Sequence, residues 1–519
     1  MARFLDLVNE RVVTYDGATG TFLQGLDLTA DDFGGPELEG CNEFLVVTRP
    51  DAIRQFHAAY LDVGCDVVET NTFGAFAIPL AEYDLADRTH ELNVTAARLA
   101  REVVDDFSTP DHPRFVAGSV GPGTKMPSLG HITFAELRDA YQVQMDGLLE
   151  GGVDLLIIET QFDLLGLKAA VVAARRAMAA QGREVPIQAQ VTIELTGRML
   201  PGTEIGAALS AIDPLHPAII GLNCATGPSE MGEHLRHLSQ HARMPISCLP
   251  NAGLPQVIDG KMAYDLTPDQ LAEHHKRFIT ELGVQVVGGC CGTGPEHIKR
   301  IVEVCRDLTP APRTPVHEAG ATSIYSQVPF EQDTSFLIIG ERTNANGSKK
   351  FRDAMLEGDW DTCLQMGKDQ LAEGAHILDV CVDYVGRDGA LDMDELASRF
   401  GTQIAAPLVL DSTEPQVLEA GLQHIGGRSL LNSANLEDGD APGSRMDRVF
   451  TLCQEYGAAA ICLLIDEEGQ ARDVEWKLRV AHRIHDIAIE RYGLEPSDLV
   501  FDALTFPLST GDEDLRKDA

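Results

Sequence analysis

Three cysteines are the residues of this chain whose type and setting most directly suggest chemistry. Two are adjacent, in Gly288-Gly289-Cys290-Cys291-Gly292-Thr293, after the apolar run Val284-Gln285-Val286-Val287 and ahead of a helix-like segment at Gly294-Pro295-Glu296. The third stands upstream in Gly221-Leu222-Asn223-Cys224-Ala225-Thr226-Gly227-Pro228. Neighbouring side chains of a regular strand point to opposite faces. Cys290 and Cys291 therefore serve one site only if the backbone leaves strand geometry there, and Gly288, Gly289 and Gly292 are expected to allow it through φ > 0. Three thiolates can hold Zn²⁺ with one position open, the catalytic arrangement; structural zinc is closed by four protein ligands. Cys248 is the residue placed to close the set and make a structural zinc scaffold. The plain alternative is three small buried thiols, and a Cys290–Cys291 disulfide is disfavoured by the strain of an adjacent pair. Cys41, Cys65, Cys305, Cys363, Cys453 and Cys462 read as core or surface residues.

The elements that must position these thiols are legible as short apolar runs alternating with amphipathic segments. Strands are expected at Val12–Tyr15, Asp66–Thr70, Arg114–Ser119, Asp154–Thr160, Pro186–Ile193, Pro217–Asn223, Pro245–Pro250 and Val284–Gly288. Helices are expected between them, including Glu91–Val104, Phe134–Leu149, Leu164–Ala180, Ser229–His241 and Pro268–Leu282. Such a run of strand-plus-helix units predicts a (β/α)8 barrel over residues 1–309, with a doubly wound open sheet as the alternative. Barrel chemistry sits at strand C-terminal ends. Polar and glycine-rich residues collect there: Asp16-Gly17-Ala18-Thr19, Glu69-Thr70-Asn71-Thr72-Phe73, Gly118-Ser119, Glu159-Thr160, Asn223-Cys224 and Pro250-Asn251-Ala252-Gly253. Strands six and eight are next-nearest neighbours in a closed barrel, roughly 8–10 Å apart at a strand spacing of about 4.8 Å. Thiolates from both can share one zinc at about 2.3 Å.

Pro310, Pro312 and Pro315 break the rhythm, and residues 310–335 read as a linker. A second alternation over 336–519 has strand ends at Gly340-Glu341-Arg342, Leu378-Asp379-Val380-Cys381, Leu408-Val409-Leu410-Asp411, Leu430-Leu431-Asn432, Leu463-Leu464-Ile465-Asp466 and Val500-Phe501-Asp502. The fold class is thus α/β, two TIM-type barrels in tandem. The second is expected to be truncated after its sixth strand, before Gly511–Ala519, so that the chain is a fragment or another element completes the barrel.

The net charge of −39 over 519 residues speaks against nucleic acid or an anionic membrane surface, since phosphate binding needs clustered Lys and Arg. No apolar stretch is long enough to span a bilayer, and Met1-Ala2-Arg3-Phe4 opens without a signal core. Eleven cysteines without paired spacing argue against a disulfide framework. A cytoplasmic protein with reduced thiols is expected.

The motifs Asp16-Gly17-Ala18-Thr19-Gly20-Thr21, Glu69-Thr70-Asn71-Thr72-Phe73, Gly221-Leu222-Asn223-Cys224 and Gly288 to Thr293 together resemble the homocysteine S-methyltransferase family. From Gly340-Glu341-Arg342-Thr343-Asn344 onward the chain resembles the pterin-binding methyltransferase barrel, and the order of the two is similar to the N-terminal half of the cobalamin-dependent methionine synthases. The resemblance implies a homocysteine sulfur at the open zinc position and a homocysteine-binding set of Glu159, Gly17, Ala18 and Thr19, with Asp16 and Asn223 in support. It implies a folate-binding set of Asp411, Asn432 and Asp502, with Asp379, Asp383 and Asp466 as weaker candidates. A pterin presents N–H and NH₂ side by side, which a carboxylate accepts in bidentate fashion. The implied donor is 5-methyltetrahydrofolate, with cobalamin as the carrier. None of the sixteen histidines lies in the family's Asp-x-His-x-x-Gly cobalamin motif, so that cofactor is expected on another module. Two departures stand out: Cys381 replaces an asparagine of many relatives, and Ala503-Leu504-Thr505 replaces Pro-Asn. Methyl transfer from S-methylmethionine or betaine is the rival enzyme reading.

Overall fold

The structure, a computed structural model, describes residues 2–258 and 261–505. It divides into one unit made chiefly of residues up to His317 and a second that continues from Glu318.

The first unit has eight parallel strands: β1 (Val13–Thr14), β2 (Val67–Glu69), β3 (Phe115–Val120), β4 (Leu155–Gln161), β5 (Ile187–Val191), β6 (Ile219–Asn223), β7 (Ile246–Leu249) and β8 (Val286–Val287). Each pairs with its sequence neighbour from β2 to β8, and β8 pairs with β1 in the register Val286↔Val13. The bridge Tyr15↔Val67 brings β1 to β2 and closes the ring. This is the expected barrel, and closure rules out the open sheet. Strands sheathed on both faces are largely apolar on both, which is why most stand out as apolar runs; β5 is the exception, with Gln188 and Gln190 buried. Val13 and Tyr15, Phe115 and Ala117, and Leu155 and Ile157 share one buried cluster, each pair at the two-residue spacing of one strand face. Phe4 and Val8, from the helix Ala2–Glu10, join the same cluster.

Helix ends follow their capping residues. Thr133 and Glu136 form a capping box at the start of Phe134–Gly151, and Gly152 ends that helix at φ 97°. Thr267 and Gln270 open Pro268–Leu282 in the same way, and Gly283 closes it. Among the described residues no helix is long and apolar enough to cross a membrane.

The second unit has six parallel strands among its described residues: β9 (Ile339–Gly340), β10 (Ile377–Val380), β11 (Leu408–Asp411), β12 (Leu430–Ala434), β13 (Ala459–Leu463) and β14 (Leu499–Asp502), paired in chain order. The segment Gly511–Ala519, which bears on the expected truncation, lies outside the described residues. The stretch read as linker is partly structured: Gly320–Thr322 pairs antiparallel with Gln327–Pro329. Arg428 is buried beneath this hairpin. It donates to the Gly320 and Gly457 carbonyls at 3.2 Å each and to the Asp498 carboxylate. A polar hairpin carries little apolar periodicity, so composition alone did not reveal it.

Candidate metal and substrate site

The loop after β8 leaves strand geometry at once and is tied to both neighbouring strand ends. The Cys290 N–H donates to the Pro250 carbonyl at 2.8 Å, and the Cys291 N–H donates to Asn251 Oδ1 at 3.0 Å. The Gly289 N–H reaches the Asp16 carbonyl at 3.2 Å. From behind, His275 donates a ring N–H to the Gly288 carbonyl at 2.9 Å. The glycines act differently from expectation. Only Gly292 of the three has positive φ, at 80°. Gly289 is needed for close approach, since a Cβ there would lie 2.3 Å from Thr293 Oγ1. After β6, Cys224 and Ala225 take left-handed conformations, at φ 58° and 59°. Strain of this kind persists where surrounding structure over-determines it, and it clusters at functional sites.

This backbone brings the three sulfurs together. Cys224, Cys290 and Cys291 have Sγ atoms within 4.8 Å of one another, the one such cluster of three among the described residues. Cys224 and Cys291 are 3.8 Å apart. A tetrahedral ion with Zn–S about 2.3 Å requires a sulfur–sulfur distance of about 3.8 Å, so the donor set fits zinc by chemistry and the Cys224–Cys291 pair fits it by spacing. Hydrogen bonds from Cys224 and then Cys290 hold the Cys291 thiol far down, at about 3. For Cys224 the bond with Cys290 works downward, but its bond to Cys291 and burial outweigh it, pushing the thiol up to about 12. The thiol of Cys290 is driven up by its bonds to Cys224 and Cys291 and by burial. Of the three thiols, Cys291 is thus the one held down, and Cys224 and Cys290 are held up. Cys248 is not part of it: its side chain is buried at 3.8 Å from Met231 Sδ.

The sulfurs open on a cavity of about 270 Å³, lined also by Gly17, Ala18, Thr19, Glu69, Ser119, Glu159 and Asn223. Glu159 accepts from Ser119 Oγ at 2.6 Å and from Asn223 Nδ2 at 3.0 Å. Asn223 also joins the strand ends, donating to Thr160 Oγ1 at 2.8 Å and accepting from the Thr160 N–H at 2.7 Å. Burial pushes the Glu159 carboxyl up, against the bonds from Ser119 and Glu69. Asp16 is absent from the cavity wall. Its Oδ2 instead accepts the Glu69 N–H at 2.9 Å, holding the ends of β1 and β2 together. The Ala18 N–H is bound to the Thr293 carbonyl at 3.1 Å. Sequence reasoning passed over Glu69, Ser119 and Asn251 as site residues, although each stands in a strand-end motif it had singled out.

In the second unit Asn344 donates through Nδ2 to Asp379 at 2.8 Å and to Asp411 at 2.9 Å. Burial pushes the Asp379 carboxyl up to about 7, with Asn344 opposing and Asp411 adding. Asp411 is likewise raised, first by burial. Asn432 stands opposite Asp411 in the β11–β12 register. Cys381 is buried and accepts from Asn346 Nδ2 at 3.6 Å. Three more of the expected carboxylates have partners of their own. Asp466 accepts from Trp476 Nε1 at 2.8 Å, Asp383 accepts from Ser412 Oγ at 2.8 Å, and Asp502 accepts from the Leu504 N–H at 2.7 Å. Asn344 was quoted for the resemblance but not counted as a site residue.

Residues 13–305, more than half the chain, match the homocysteine S-methyltransferase family. Residues 340–518 match the pterin binding enzyme family. Over 515 residues the chain is 52% identical to a methionine synthase of Mycobacterium tuberculosis, covering 99% of this chain and 43% of the relative. It is also 52% identical over 521 residues to a methionine synthase of Mycobacterium leprae, with the same coverage. The chain therefore spans less than half the length of these curated relatives. Among solved structures, the homocysteine methyltransferase MmuM from Escherichia coli in its metallated form matches with a TM-score of 0.46 at 21% identity, covering 56% of this chain and 95% of that one.

Proposed function

This chain belongs to the homocysteine S-methyltransferase family, and from that membership we propose that its first unit methylates homocysteine at a zinc site formed by Cys224, Cys290 and Cys291. The second unit binds 5-methyltetrahydrofolate as methyl donor, and cobalamin, held by a module outside this chain, carries the methyl group between them. The observation that carries this reading is a set of three sulfurs within 4.8 Å of one another, one pair at 3.8 Å, facing a cavity that also holds Glu159.

Zinc, when bound, lowers the pKa of the substrate thiol so that it is held as thiolate at neutral pH. A free thiol is a few per cent ionised at pH 7, so complete ionisation gains only roughly 30-fold, partly offset because nucleophilicity falls with pKa. Positioning must supply more, and well-oriented groups gain several kcal/mol. The chain's own residues provide it. Glu159, oriented by Ser119 and Asn223, receives the ammonium group. The small residues Gly17, Ala18 and Thr19 let the substrate carboxylate approach the backbone. In the second unit, the Asp379–Asn344–Asp411 arrangement supplies carboxylate acceptors for the donors of a pterin edge, and Asn432 and Asp502 complete the proposed folate set. The pterin-binding match favours a folate-derived methyl over S-methylmethionine or betaine. The buried Cys248, packed on Met231, favours an open zinc position over a closed scaffold.

The test is zinc stoichiometry and methylation of homocysteine from supplied methylcobalamin. Cys224→Ser, Cys290→Ser and Cys291→Ser should each lose stoichiometric zinc and methylation. Activity retained in any of the three defeats the reading. X-ray absorption should show a fourth sulfur joining zinc when homocysteine is added.

A further inference from the structure

Arg445 opens the helix Arg445–Tyr456 of the second unit and has no place in the folate set above. Its guanidinium is spent on carbonyl oxygens rather than on a carboxylate. Nε donates to the Ser433 carbonyl at 2.9 Å, Nη1 to that of Thr413 at 3.0 Å and Nη2 to that of Ser412 at 3.1 Å. Ser412 and Thr413 directly follow Asp411 at the end of β11, and Ser433 directly follows Asn432 in β12. One planar group therefore spans the two strand ends that carry Asp411 and Asn432.

The local backbone explains why those carbonyls need a donor. Asn432 pairs with Ile461 and Ala434 pairs with the next residue, Cys462, so Ser433 is an extra residue that the ladder skips. Such a bulge leaves its own backbone groups unpaired and re-aims the side chains beside it. Ser412 and Thr413 lie beyond the last paired residue of β11. A backbone carbonyl shielded from water and without a donor is costly, and Arg445 satisfies all of these. Arg445 is itself fixed in place. Its backbone N–H donates to the Asp438 carboxylate at 3.0 Å, and Ser444 caps the helix by accepting the Asp447 N–H at 3.3 Å. From the opposite side Asp383, in the segment after β10, accepts the Thr413 N–H at 3.0 Å and the Ser412 hydroxyl at 2.8 Å. The pair Ser412–Thr413 is thus gripped between Asp383 and Arg445, which joins the ends of β10, β11 and β12.

We propose that Arg445 is a positioning residue of the folate site, holding Asp411 and Asn432 at the spacing a pterin edge requires before the ligand arrives. It acts through the backbone of their chain neighbours and does not touch the ligand. The shape of the guanidinium is what matters, because a rigid fork of N–H donors reaches two strand ends at once, whereas a lysine ammonium is a single point donor. Its charge is secondary. The inference rests on the folate reading of the second unit and deepens it.

The test is calorimetric titration of the full chain with 5-methyltetrahydrofolate and with 6-methyltetrahydropterin, which has the pterin but no aminobenzoylglutamate tail. Arg445→Lys keeps the charge and loses the fork. It should bind both ligands about tenfold more weakly, as should Arg445→Met, the size expected when two side chains are ordered at binding rather than beforehand. In an Asp411→Asn background the loss from Arg445→Met should shrink, because the two residues serve one contact; a merely destabilised fold would give the same loss in either background. If Arg445→Met does not fold, the same comparison is made with Asp383→Ala, which frees Ser412 and Thr413 from the other side. Full affinity in Arg445→Lys makes charge the working feature and overturns the inference. A loss confined to 5-methyltetrahydrofolate makes Arg445 a contact of the tail and also overturns it. So do additive losses, or full affinity in a folded Arg445→Met or, in its stead, Asp383→Ala. Each of these leaves the folate reading intact. An unaltered chain that binds neither ligand overturns the folate reading and the inference with it.

Discussion

Asn223→Ala removes the side chain that ties β6 to β4 and orients Glu159. Three hydrogen bonds are lost: from the Thr160 N–H at 2.7 Å, to Thr160 Oγ1 at 2.8 Å and to Glu159 Oε2 at 3.0 Å. The site is 1% exposed, so water does not simply replace them. Neutral bonds contribute about 1 kcal/mol each and a bond to a charged group about 2 kcal/mol, which sums to roughly 4 kcal/mol. At 2–4 °C per kcal/mol, the transition of the first unit should fall by roughly 8–16 °C in calorimetry. Thr160 also sits at φ 55°, a conformation its bonds to Asn223 help to hold. Binding should suffer separately. With Glu159 no longer oriented, L-methionine affinity should drop about 10- to 100-fold, the equivalent of about 1.4–2.8 kcal/mol, while zinc content stays stoichiometric. Glu159→Gln should weaken binding comparably, and the double variant should be less than additive because the two residues act on one ammonium contact. Wild-type methionine affinity in a folded Asn223→Ala protein would falsify the orienting role. Zinc loss in step with affinity would instead make Asn223 a support of Cys224.

Asp379 carries a pH signature. Its folded pKa of about 7 exceeds the unfolded value of about 3.9, so the folded state holds an extra proton between those limits. Stability is full below about pH 4 and falls as pH rises to about 7. The melting temperature of the second unit should decline from pH 5 to 8, and decline less in Asp379→Asn; parallel curves would show that Asp379 is not the titrating group. Asp411→Asn should weaken folate binding at least tenfold by fluorescence titration, because an amide NH₂ then faces pterin donors; unchanged affinity in a folded variant removes Asp411 from the site. Asp498→Asn leaves the buried Arg428 without its counter-charge and should cost about 3–5 kcal/mol in denaturant unfolding of the second unit. Arg428→Met with Asp498→Asn should recover most of that loss, and a double variant no better than the single would discount the ion-pair account.

Some of this was readable from residue order and some was not. The eight barrel strands appear within a residue or two of their apolar runs, because strands buried on both faces are mostly apolar; Gln188 and Gln190 of β5 are buried exceptions, bonded to Tyr15 and Ser247. Helix limits were legible where Thr, Pro and Gly caps are local chemistry. Gly288 and Gly289 were misread as left-handed glycines: sequence shows that a side chain is missing, but not whether φ or a neighbouring atom such as Thr293 Oγ1 requires it. Asp466, Asp383 and Asp502 look like Asp379 and Asp411 in sequence, each a carboxylate at or near a strand end. The partner that each takes, Trp476 for Asp466, Ser412 for Asp383 and the Leu504 N–H for Asp502, comes only with the folded chain.

The sequence by itself determined the chemistry available: three thiols in glycine-rich strand ends, the strands to carry them, and a second alternation rich in terminal aspartates. Those are properties of residue type and short spacing. Tertiary structure decided which groups meet. Barrel closure brings Cys224 to within 3.8 Å of Cys291 across 67 positions of chain and leaves Cys248 against Met231. It turns Asp16 to the Glu69 backbone and brings Glu69 and Glu159 to one cavity wall. The physical reason is that a carboxylate or thiol takes its charge from neighbours a few ångströms away, and those neighbours are assigned by strand order and register rather than by distance along the chain.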